Sequence, residues 1–234
     1  MSTLLLRLAA PLQSWGSASK FDNRDTGREP TKSGVIGLIA AALGLSRTED
    51  LEELKELKFG VRIDQPGVLL RDYHTALHIK GKPPFVTERY YLADAVFLVG
   101  LEGEKKYLQS IAVALKKPVF PLFLGRRSCP PTGPLVLGIR DLALQEAIAQ
   151  ESWQASKWFQ KKQSGQIKLT IVCDAQPNDQ GAFLRRDLPI SFDQRYRQYG
   201  FRMVNDVAEA ISVLPSEYVG EISTDHDAMA GWEG

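Results

Sequence analysis

The chain has 234 residues, and 29 Lys and Arg stand against 28 Asp and Glu, leaving a formal net charge of +1. With 44% hydrophobic and 24% charged residues it has ordinary globular composition, which excludes a disordered or fibrous chain. Near-neutrality argues at first sight against a nucleic-acid binder, but it is a cancellation: residues 105–140 carry seven basic side chains and no acid, and residues 203–234 carry seven acids and no base.

The length suits one large domain, or one domain with a smaller appendage. The apolar stretch at residues 1–12 contains Arg7 and has no basic region before it. It is too short for a membrane span and does not read as a signal peptide, so a cytoplasmic protein without a membrane partner is expected. Cys129 and Cys173 show no metal-ligand or redox spacing and are expected as free thiols.

In chain order, residues 3–9 form an apolar run that reads as a central strand, ended by Pro11. Residues 13–30 are polar and glycine-containing, a long surface loop. Thr31 or Ser33 can cap a small-residue, apolar helix that runs to about Leu43 and stops at Gly44. A short helix over 49–57 and an alternating strand over 58–64 follow. Residues 69–91 mix β-formers with Gly81, Pro83 and Pro84 and suggest an extended hairpin. A strand over 92–101, an amphipathic helix over 104–115 and a strand or extended approach to the next loop over 118–124 come next. Beyond lie a helix over 141–150 and strands over 167–173, 187–192 and 195–204. The first 124 residues thus run strand, helix, strand, hairpin, strand, helix, strand. That is the order of a split β-α-β unit, the ferredoxin-like α+β architecture that RNA-recognition modules share. The division expected is a core over 1–138 and a smaller, mostly β region over 139–234 that ends in the acidic tail.

Five segments carry candidate chemistry. Gly125-Arg126-Arg127-Ser128-Cys129 sets two forked guanidiniums on a turn within the acid-free stretch, which suits a phosphate and reads equally as a solvated turn. Gly27-Arg28-Glu29-Pro30-Thr31-Lys32-Ser33-Gly34 resembles a phosphate loop but has Thr31 where that motif needs glycine, so an NTPase is rejected. A helix N-terminus bearing Lys32 and Ser33 can still hold a phosphate, or can be a plain cap. Leu70-Arg71-Asp72-Tyr73-His74-Thr75 offers a general base and a cation, although a histidine in such a context more often stacks or hydrogen-bonds. Gln13-Ser14-Trp15-Gly16 places an indole in a polar loop, to cover the core edge or to stack a base. Arg185-Arg186 and Arg195-Tyr196-Arg197-Gln198-Tyr199 offer cations, the latter alternating with aromatics, most simply as an edge strand with a solvated face.

Taken together and in this order, Gln13 to Gly16, Thr26 to Gly34, Leu70 to Thr75 and Phe123 to Pro130 resemble the CasD family, the E-subtype branch of the fifth CRISPR-associated family within the RAMP superfamily. The resemblance runs from Leu4 to about Leu137. It implies a ferredoxin-like core with a β-hairpin thumb over about 70–91. It also implies a subunit of the Cascade complex that caps the 5′ handle of CRISPR RNA beside the backbone subunit CasC and the large subunit CasA, and that meets target DNA only through the complex. Precursor cutting belongs to CasE in that subtype, so no catalytic residue, metal or cofactor is implied. Related chains that cleave RNA use Tyr, Lys and His, and no Lys partners Tyr73 and His74 here. The RNA-binding residues expected are Gln13, Trp15, Arg28, Thr31, Lys32, Ser33, Arg71, Tyr73, His74, Gly125, Arg126, Arg127, Ser128 and Cys129. The alternative is a metal-independent endoribonuclease that makes the handle.

Overall fold

The computed structural model describes residues 1–16, 23–76, 84–163, 166–176 and 178–212. The elements are β1 (Ser2–Ala9), β2 (Leu12–Gln13), β3 (Asn23–Arg24), α1 (Lys32–Leu43), α2 (Glu52–Glu56), β4 (Lys58–Gln65), β5 (Val68–Ala76), β6 (Phe85–Ala93) and β7 (Val96–Gly103). They continue with α3 (Lys105–Lys116), β8 (Val136–Arg140), α4 (Leu144–Gln150), α5 (Lys157–Lys161), β9 (Gln166–Asp174), β10 (Phe183–Ser191) and β11 (Gln198–Ser212).

Seven strands form one antiparallel sheet in the order β10-β11-β9-β4-β7-β1-β8. The central strands β1 and β7 read as nearly continuous apolar runs because both faces of the sheet are covered. Leu4, Leu6 and Leu8 point to α1 and α3, where they meet Val35, Ile39, Leu108 and Ile111. Leu5 and Leu98 point the other way, to Leu144 and Ile148 of α4. Side chains alternate across a strand, so one run feeds two cores.

Helix α1 starts where expected. The Gly34 N–H donates to the Thr31 hydroxyl, and Gly44 closes the helix in the left-handed region at φ 81°. The second strand pair of the expected order needs correction. Residues 118–124 form no strand. Pro118 and Pro121 lack the N–H that a ladder requires. The N–H groups of Val119 and Phe120 instead donate to the carbonyls of Ala42 and Ala41 at the end of α1. The strand beside β1 is β8, where Leu4 faces Ile139. The single strand expected over 92–101 is two: Leu92 and Ala93 end β6, Asp94 turns the chain at φ 55°, and β7 begins at Val96.

β5 and β6 form a hairpin with Val68 opposite Ala93 and Tyr73 opposite Glu88; β2 pairs with β6 at its root and β3 with β6 half-way along, at Glu88 and Arg89. The hairpin tip, residues 77–83, lies outside the described residues, as does the acidic segment from 213 onward. The strands β9, β10 and β11 extend the main sheet from its β4 edge.

A buried charge network fastens that extension. Arg202 donates to both carboxylate oxygens of Asp187 at 2.7 and 2.9 Å and to Asp174 at 2.6 Å. Asp174 also accepts from the Lys32 ammonium at 3.2 Å and from the Phe59 N–H at 2.8 Å. The network therefore ties α1, β4, β9, β10 and β11 together. A second buried pair, Arg62 and Asp64, holds the end of α4 through the carbonyls of Ile148, Glu151 and Ser152. Among the described residues no helix is long and apolar enough to cross a membrane.

Candidate nucleic-acid interface

The loop after α3 is built on Gly125. Its φ of +85° suits glycine, and a Cβ there would lie 1.6 Å from the Ser14 carbonyl oxygen. The Ser14 N–H donates to the Leu124 carbonyl at 3.1 Å, the Leu124 N–H to Cys129 at 2.7 Å and the Cys129 N–H to Arg126 at 2.9 Å. The turn is thus closed on itself and seated against the chain that leaves β2. From it Arg127 and Ser128 project into solvent.

Arg126 lies over the Tyr91 ring, 4.5 Å from its centroid, and donates through Nη2 to the Arg24 carbonyl at 2.6 Å. Its Nη1 is shielded from water and meets no acceptor among the described residues. On one side of this stack is a hollow of about 230 Å³ lined by Ser14, Gly16, Arg24, Asp25, Ser33, Gly34, Gly125, Arg126, Arg197 and Tyr199, among others. It joins the 13–16 loop, the first turn of α1, the 125–129 turn and the approach to β11. Three arginines and one aspartate are among the residues that line it. On the other side is a hollow of about 470 Å³ bounded by Leu12, Leu70, Arg71, Asp72, His74, Arg89, Tyr91 and Ser128. Arg89 Nε is a second buried guanidinium donor without an acceptor among the described residues.

Several residues expected at the RNA are inside the protein. Gln13 is 0% exposed and Trp15 is 1% exposed. Gln13 donates to the carbonyls of Ala95 and Leu8 and accepts from the Trp15 indole at 3.0 Å. The indole face covers Gly34, where a Cβ would approach it to 2.9 Å. The pair braces α1 against β1, and an edge of Trp15 also lines the first hollow. Lys32 is buried, and burial lowers its pKa against the pull of Asp174. Its N–H donates to Asp187 at 2.9 Å and the Gly34 N–H to the Thr31 hydroxyl, so two of the donors at the start of α1 are met within the protein. Cys129 is also buried, and desolvation pushes its thiol pKa up. Thr31 and Ser33 line the first hollow with Trp15, while Arg28 is exposed outside both.

On β5, Tyr73 is 62% exposed. His74 Nε2 lies 2.5 Å from Asp72, and Arg71 is paired with Glu88 across the hairpin. Consecutive strand residues project to opposite faces, so Tyr73 and His74 leave β5 in opposite directions. Arg24, Arg89, Arg197 and Tyr199 complete the site without having been expected there. The Arg-Tyr alternation was the signal for Arg197 and Tyr199, whereas Arg24 and Arg89 sit in no distinguishing pattern.

The residues now match a known family: positions 3–205 fit the family described as "CRISPR-associated protein (Cas_Cas5)". The chain belongs to the Cas5 family. Within it, this family member is 40% identical over 158 residues to the CRISPR system Cascade subunit CasD of Escherichia coli (strain K12), covering 58% of this chain and 70% of that protein. A crystal structure of a Cas protein shares 40% identity at a TM-score of 0.69, covering 88% of this chain and 94% of that one. A chain of a CRISPR RNA-guided surveillance complex shares 33% identity at a TM-score of 0.73, covering 90% and 91%.

Proposed function

We propose that this Cas5 family member is a non-catalytic RNA-binding subunit of a type I-E Cascade complex that holds and caps the 5′ handle of mature CRISPR RNA. The observation that carries the reading is the convergence of Arg24, Arg126 and Arg197, from three distant segments, on one hollow beside the Gly125 turn. A single-stranded handle presents phosphates to such forked donors and splayed bases to Tyr199 and the hairpin. The likeness to a Cascade subunit and to a surveillance-complex chain supports the assembly.

In this reading the quartet β8-β1-β7-β4, with α1 and α3 on one face, is the ferredoxin-like core, and the β5–β6 hairpin is the thumb. The exposed Val68, Leu69, Leu70 and Tyr73 of that hairpin suit contact with the backbone subunit CasC. CasA and the cytoplasmic setting follow from the same assembly, and target DNA is met through it. Arg127 and Ser128 join the RNA-binding set from the turn, and Arg71 and His74 from the hairpin.

Measuring handle-RNA affinity against salt for the Arg126→Ala/Arg197→Ala double variant tests the cleft. Weaker binding with a shallower salt slope supports it, and wild-type affinity and slope overturn it. The endoribonuclease alternative is tested by incubating the protein with repeat RNA in EDTA. Cleavage that His74→Ala abolishes would establish the enzyme. The opposed directions of Tyr73 and His74 favour binding.

A further inference from the structure

The handle cleft leaves one conspicuous surface unused. Residues 152–173 carry Lys157, Lys161, Lys162 and Lys168 and no acid. Three of these lysines lie on or beside the single-turn α5, which presents Trp158 49% exposed to solvent. The Lys162 ammonium sits 5.1 Å over the Trp158 ring, and Phe159 meets that ring edge-on at 5.8 Å.

The platform is rigidly mounted. Ser156 donates to the Gln65 side chain through its N–H at 3.1 Å and its hydroxyl at 2.7 Å. The Trp153 indole donates to the Asp64 carbonyl at 2.9 Å, and Gln160 holds the Ala155 carbonyl at 2.8 Å. Gln65 in turn donates to the Asp94 carbonyl, so α5 is fastened at the root of the β5–β6 hairpin. An ordinary surface helix intersperses both signs of charge. This one combines an exposed indole with cations alone, which is the chemistry of a base-stacking and phosphate-holding surface.

We propose that α5 is a second nucleic-acid contact, for a single strand: the exposed part of Trp158 stacks a base, and Lys157 and Lys162 hold phosphates on either side. The proposal does not depend on the handle cleft. The strand is either RNA or single-stranded DNA, since both carry the same phosphates and π-faces.

The test uses the full chain with labelled oligo(U) and oligo(dT) in low salt, comparing wild type, Trp158→Ala, Trp158→Phe and Lys157→Gln/Lys162→Gln. Trp158→Ala is expected to weaken binding about tenfold, Trp158→Phe to recover most of it, and the double Lys variant to reduce the salt slope by about 1.4. The Lys variant alters exposed side chains alone and remains informative if Trp158→Ala fails to fold. Loss confined to oligo(U) assigns the site to RNA, and loss confined to oligo(dT) assigns it to DNA. The proposal is overturned if the Lys variant keeps the wild-type slope on both oligomers, or if Trp158→Phe binds no better than Trp158→Ala.

Discussion

Arg126 and Arg202 occupy similar settings with opposite outcomes. Each guanidinium lies over an aromatic ring, Tyr91 at 4.5 Å and Phe59 at 5.1 Å. Arg202 is buried and bonded to two carboxylates, Asp187 and Asp174. Arg126 is half-buried, bonded to main-chain carbonyls, and left with a donor unmet among the described residues. The first is a structural clamp whose charge the fold neutralises. The second has no carboxylate partner and lies beside an open hollow. Acceptor supply, which the number of arginines does not reveal, separates a clamp from a binding residue.

The largest expected effect tests the clamp. Asp187→Ala removes two of the three carboxylate bonds of buried Arg202, leaving Asp174 alone, and removes the acceptor of the Lys32 N–H. It should cost about 3–5 kcal/mol in urea unfolding. A loss under about 1 kcal/mol would show that the network is not the fastening described. The cleft should respond the other way. Arg126→Ala should cost only about 0.5–1 kcal/mol of stability from the lost ring contact, while handle-RNA affinity falls about tenfold. A large stability loss with unchanged RNA affinity would make Arg126 a second clamp and erase the comparison.

A pH experiment adds a third point. Burial would raise the Glu102 carboxyl, but the Lys58 ammonium at 2.6 Å and the Leu144 N–H at 2.7 Å outweigh it and hold the pKa below its ordinary value. A depressed carboxylate stabilises the fold fully above its unfolded pKa, and that contribution fades as pH falls through the folded one. Glu102→Gln should therefore be less stable than wild type by about 1–3 kcal/mol at neutral pH, with the gap closing below about pH 4. A pH-independent gap would mean that shape alone is at work. The smallest effect is chemical. Burial and the neighbouring Asp174 push the Cys173 thiol up to about 12. A thiol reagent at pH 8 should leave it unlabelled in the native protein and modify it in urea, and rapid native labelling would refute its burial.

Much of the fold is legible in residues that obey local rules. Thr31 and Gly44 mark α1 because a hydroxyl cap and a left-handed glycine act within one turn. The apolar stripe of Leu108, Ile111 and Leu115 marks α3 for the same reason. β8 escaped because Val136 to Arg140 is short and gains its partners only from β1, while the more apolar 118–124 stretch lacks two N–H donors. The site divides in the same way. Gly125 and Arg126 are readable from a glycine before adjacent arginines in an acid-free stretch. Gln13, Trp15 and Lys32 carry polar or stacking groups that look available until their partners, Ala95, Gly34 and Asp174, are brought to them from distant parts of the chain.

The locally capped helices, the apolar strands of the central sheet, the basic middle and the resemblance to a Cas5 branch are all written in the amino-acid order. All of these depend on residues within a few positions of one another or on motif order. Only tertiary structure separates the arginines that carboxylates neutralise from those left beside an open hollow, because that depends on which carboxylates and carbonyls long-range packing places within hydrogen-bonding reach.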